Sequence, residues 1–122
     1  MPRYILHHRD TDMYLEYSTV VDAPVTIAVT RDEMRAYLIK RDGDGGDDGR
    51  EVDERLNRAK RTGTSCRHPG GSLESEITCN RAGRDETEMS REQFIRYFFT
   101  EHAIRRVEYE TMTMAPPVGD KL

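Results

Sequence analysis

Thr30 and Glu33, and again sixty residues later Ser90 and Gln93, stand in the S/T-x-x-E/Q order of a capping box. The hydroxyl accepts from the third helical amide, and the acid or amide side chain reaches back to the cap's own N–H. Each cap follows an apolar residue, Val29 or Met89, and precedes another four positions on, Met34 or Phe94, which is the spacing of a hydrophobic staple. Two helices must therefore start here, each from an extended segment. Met34, Tyr37 and Leu38 then share a helical face, as do Phe94, Tyr97 and Phe98, with Ile95, Phe99 and His102 widening the second stripe. None of these is a nucleophile or base with a partner at a telling spacing. The repeat is a structural device used twice, not two copies of an active unit.

Between and around these helices the pattern changes period. "RYILHHR" from Arg3 and "MYLEYSTV" from Met13 are rich in strand formers, with Asp10 to Asp12 as turn residues, and predict a hairpin. Beyond Pro24, Val25, Ile27 and Val29 alternate as a short third strand. Arg50 to Gly63 predicts a third helix with Val52, Leu56 and Ala59 as its apolar stripe. Ser72 to Cys79 reads as a strand with Leu73 and Ile77 inward, and Val107, Tyr109, Thr111 and Thr113 mark a final strand. The expected fold is α+β: a small, mostly antiparallel sheet, the hairpin plus two or three further strands, with about three helices packed on one face. One domain over residues 1–115 is expected, with a flexible Asp/Gly loop at 42–49 and a tail at 116–122.

Of the 122 residues, 35% are hydrophobic and 34% charged, so a thin core lies under a large charged surface. The net charge of −4 argues against a surface that seeks nucleic acid everywhere, and leaves only a local basic patch. "MPRYILHHRD" is neither a signal-peptide core nor a membrane span, which makes a cytoplasmic protein with no membrane partner the expectation. Cys66 and Cys79 then read as free thiols.

Candidate chemistry is sparse. Arg41 to Arg50 is an acidic, glycine-rich linker; Asp42 and Asp44 match a calcium loop, but Asp47 stands where glycine is needed and Asp53 where glutamate is needed. From Arg55 to Ser72 there is no carboxylate, while Arg55, Arg58, Lys60, Arg61 and Arg67 supply five positive charges, suited to phosphate or nucleic acid. Stacking aromatics are missing from that stretch. His7 and His8 point to opposite strand faces, and Cys66, His68 and Cys79 lack zinc-site spacing, so neither metal nor cofactor is expected. No catalytic residue is assigned; a hydrolase using His68 or His102 is a remote reading.

"YLEYSTVVDAPVT", "TRDEM", "RTGTS", "NRAG" and "SREQF" together resemble a group of small uncharacterised proteins of actinobacteria and their phages, over roughly the first hundred residues. The "DGDGGDDG" insertion and the C-terminal tail depart from that pattern. The resemblance implies a phage or host accessory protein, in the host cytoplasm if phage-encoded, and carries over no known activity and no site residue. With no active site in the sequence, the expected function is to occupy a protein target, as an inhibitor or modulator. Tyr4, Tyr14 and Tyr17 of the hairpin and Asp44, Asp47 and Asp48 of the loop are the expected contacts. Nucleic-acid or nucleotide binding through the basic patch is the alternative. A homodimer is compatible with either.

Overall fold

A computed structural model describes residues 3–101. β1 (Arg3–His8) and β2 (Met13–Ser18) pair antiparallel in the register Arg3↔Ser18 to His8↔Met13, and β3 (Ala23–Pro24) adds to the other edge of β2. Alternation places Ile5, His7, Tyr14 and Glu16 on one face and Tyr4, Leu6, Leu15 and Tyr17 on the other. Tyr14 and Tyr17 are three apart, so both faces carry a large ring that needs cover.

Helices supply that cover on both faces, which corrects the expected one-sided packing. On the first face lies α1 (Arg31–Asp42), whose Tyr37 and Arg41 reach Glu16. Alongside runs α2 (Arg50–Thr62), joined to α1 by Arg31 to Asn57 at 2.7 Å and Arg35 to Asp53 at 2.7 Å. The second face is covered by α4 (Arg91–Phe94) and a π-helical stretch continuing it, Ile95–Glu101: Phe94 packs on Tyr17 with ring centroids 6.2 Å apart, and Phe99 on His8 at 5.4 Å. Both expected capping boxes form, Thr30 with Glu33 and Ser90 with Gln93, and all four staple residues are buried.

Ser72 to Cys79 does not form a strand. α3 (Leu73–Ile77) occupies it, started by a reciprocal cap between Ser72 and Ser75. Leu73 and Ile77, four apart, share a face in a helix as well as in a strand, so their spacing does not discriminate. The segment after Pro24 is also less regular than a strand. Val25 N still donates to Glu16 O at 2.8 Å, but Thr26 Oγ1, not a main-chain oxygen, accepts from Glu16 N at 2.9 Å, and main-chain pairing resumes only at Val29, with Tyr14. The final strand expected at 105–114, the tail and His102 lie outside the described residues.

The outer edge of β1 is closed by Gly63 to Ser65. His7 N donates to Gly63 O at 3.0 Å, Ser65 N to Ile5 O at 2.8 Å, and Ile5 N to Ser65 Oγ at 2.8 Å. Gly63 ends α2 with φ at +97°, and a Cβ there would lie 2.6 Å from Leu73 N. Only glycine fits this turn between the helix end and α3.

Candidate functional site

On α2 the apolar stripe of Val52, Leu56 and Ala59 packs inward, which rotates Arg55 and Arg58 to one flank. Because Gly63 to Ser65 pairs with β1, the chain leaving that edge carries Cys66 and Arg67 beside Arg3 and Tyr4. A groove of about 850 Å³ results, walled by Arg3, Tyr4, Arg55, Arg58, Cys66 and Arg67. Asp42, Asp44 and Glu51 also line it.

The basic wall is the unusual element. Arg58 Nε donates to Ser65 O at 2.7 Å, which fixes the guanidinium at the groove. Burial, and then the like charges of Arg67, Arg55 and Arg61, push its proton affinity down. Among the described residues, Arg55, Arg61 and Arg67 form no ion pair, whereas Arg35, Arg41 and Arg91 pair with Asp53, Asp42 and Glu74 at 2.7–2.8 Å. Tyr4, half-buried, brings the aromatic ring that the basic stretch itself lacks; the Cys66 thiol beside it holds the phenol above its usual pKa.

The five expected basic residues do not all meet. Arg55, Arg58 and Arg67 share the groove, while Lys60 and Arg61 turn to a second concavity of about 270 Å³ with His8, Arg9 and Arg91. Arg3 was not legible as a site residue, and Tyr4, expected as a contact for a protein target, was not legible as part of the basic groove, since a pairing sixty residues apart, Ile5 with Ser65, brings them there.

Tyr14 and Tyr17 are 1% and 0% exposed, so they are core residues and cannot present an interface, contrary to expectation. The loop aspartates are engaged locally. Asp44 Oδ1 accepts from Gly46 N, and Asp47 accepts from Arg50 N and Glu51 N, starting α2 where Gly49 has no side chain to do so. Asp48 has φ +59° and gives its carbonyl to Arg35. His68 Nδ1 faces its neighbour's carbonyl, Pro69 O, at 2.8 Å. Both cysteines are free. Among the described residues no group of three His, Cys, Asp or Glu side chains is placed to hold a metal ion, and no helix is long and apolar enough to cross a membrane.

Ion pairs and burial also set a pH response. Asp12, Asp42, Asp53 and Glu74 are held below their ordinary pKa by hydrogen bonds from His7, Arg41, Arg35 and Arg91 respectively. Each contribution is complete above the unfolded value, near 4, and is lost as pH falls through the folded value. His8 is lowered by burial, so below about 6.5 the unfolded chain binds the proton first and stability again falls with pH. Glu76, raised by burial, works in the opposite sense just above its unfolded value. The urea midpoint is expected to fall in two stages on acidification from pH 7. His8→Phe should remove the first stage; a variant that keeps it would show that another group is responsible.

The described chain is thus an α+β protein with an arginine-walled groove along one sheet edge. Comparison with family models, with curated proteins and with solved structures finds no match to it.

Proposed function

We propose that the protein is a non-enzymatic binding protein for a phosphate-bearing ligand, nucleotide or nucleic acid, and that the groove between α2, the start of β1 and Cys66–Arg67 is its site. The convergence of Arg55, Arg58 and Arg67 on one concavity carries this reading. Like charges held together in this way repel one another, and an anion relieves the repulsion. Guanidinium is the group best matched to phosphate, because its planar fork gives two parallel hydrogen bonds to two oxygens. Tyr4 adds a ring on which a base can stack. The protein-occupying alternative loses Tyr14 and Tyr17 to the core.

Fluorescence anisotropy with a labelled oligothymidylate of about 12 nucleotides tests the proposal. At least three phosphate contacts on a single strand predict an affinity weaker by roughly 20-fold or more at about 200 mM salt than at about 50 mM. Arg55→Ala with Arg67→Ala, two side chains with no described ion pair, should reduce the logarithmic salt slope by about 1.4 and leave the circular dichroism unchanged. Absence of binding at low salt, or a slope untouched by the double variant, would overturn the assignment.

A further inference from the structure

The two basic concavities share a boundary. Arg55, Arg58 and Arg61 succeed one another at i, i+3 and i+6 on α2, and neighbours three apart on a helix lie side by side. Arg58 feels the charges of both Arg55 and Arg67 on the groove side and Arg61 on the other. The edge segment belongs to both depressions, with Ser65 lining the groove and Gly63 the second concavity. Arg55 to Arg61 spans about 9 Å of helix, the rise of two to three stacked nucleotides.

We infer that these depressions form one cationic track and that its ligand is a single strand of nucleic acid running from Arg55 and Arg67, over Arg58, to Lys60 and Arg61. The inference rests on the groove being a phosphate site and adds the class of ligand. A free nucleotide reaches only one of the two depressions, whereas a strand satisfies the cations of both. Duplex is disfavoured by the carboxylates in the groove. Asp42, Asp44 and Glu51 line it together with the arginines, so a second phosphate backbone laid into it would meet negative charge. Within the second concavity Glu74 is already paired with Arg91 at 2.8 Å, and of the remaining charges Arg9, Lys60 and Arg61 outnumber Asp10, so the local sign is positive.

The discriminating measurement is the salt slope of binding for oligothymidylates of about 4 and about 12 nucleotides, and for a duplex of the longer length, with the full chain. The slope is used because a longer strand binds more tightly merely by offering more registers, while the number of phosphates neutralised is independent of that count. The longer strand should show a slope steeper by about 1.4, from two further contacts. Lys60→Ala with Arg61→Ala should abolish that increment and leave binding of the short strand unchanged. Equal slopes for both lengths, or an increment that survives the double variant, would overturn the track while leaving the groove as a phosphate site. Tighter binding of the duplex than of the single strand would overturn the strandedness. Failure of every oligonucleotide to bind would overturn both the track and the groove.

Discussion

Arg41→Met is expected to destabilise the fold by about 3–5 kcal/mol, the cost of leaving a buried carboxylate without its counter-charge. The carboxylate is Glu16, whose side chain is 0% exposed in the middle of β2. Arg41 Nη1 donates to its Oε1 at 2.6 Å, Tyr37 Oη donates to the same oxygen at 3.3 Å, and Arg3 approaches it at 3.7 Å. Oε2 has no partner among the described residues, so the charge depends on one oxygen and chiefly on one guanidinium. The side chain of Arg41 is 32% exposed, and water reaching the vacated site brings the cost toward the lower end. Replacing both partners, Glu16→Leu with Arg41→Met, removes the stranded charge and should recover most of the loss. Urea unfolding of the two variants checks this. A loss below about 1 kcal/mol for Arg41→Met alone would show that Glu16 is not carried as a charge dependent on Arg41.

Glu16 also shows where sequence reading stops. In "YLEYS" an acid among apolar residues ordinarily marks the solvent side of a strand, and nothing nearby says otherwise. Burial is decided twenty-five residues later, when the end of α1 delivers Arg41. The hairpin, α1, α2 and both capping boxes were legible because their signals are local: turn residues, a cap with its box partner, an apolar stripe, a terminal glycine. For the same reason, the tyrosines could be placed on a strand but not on a buried face, since Tyr17 is covered by Phe94, far along the chain, and Tyr14 lies on the opposite face. The basic stretch was legible as a charge and not as a geometry. Helical rotation divides it between two depressions, and a non-local edge pairing adds Arg3 and Tyr4 to one of them.

Asn80 carries the other large effect, and no sequence pattern singled it out for this role. It is 1% exposed, and its amide makes four hydrogen bonds to the main chain. Nδ2 donates to Ile77 O and Met89 O, both at 2.9 Å, and Oδ1 accepts from Met89 N at 3.0 Å and Ala82 N at 3.2 Å. A single side chain thus stands in for a strand partner. It ties the end of α3 to Met89, the staple residue that sets how α4 and its aromatic face approach the sheet. Asn80→Leu preserves the approximate volume and leaves the Ala82 and Met89 amides and the Met89 carbonyl buried without partners, while Ile77 O keeps only the main-chain bond from Asn80 N at 3.1 Å, so a loss of about 3–5 kcal/mol is expected by urea denaturation. Asn80→Asp separates the two halves of the role. Its carboxylate still accepts from Ala82 and Met89, but places a negative charge against two carbonyl oxygens that have lost the side-chain donor. That variant should therefore recover stability relative to the wild-type chain as pH falls and the acid regains a proton to donate. If Asn80→Leu and Asn80→Asp lost the same amount at every pH, the donated bonds to Ile77 and Met89 would not be what holds α3 to the start of α4.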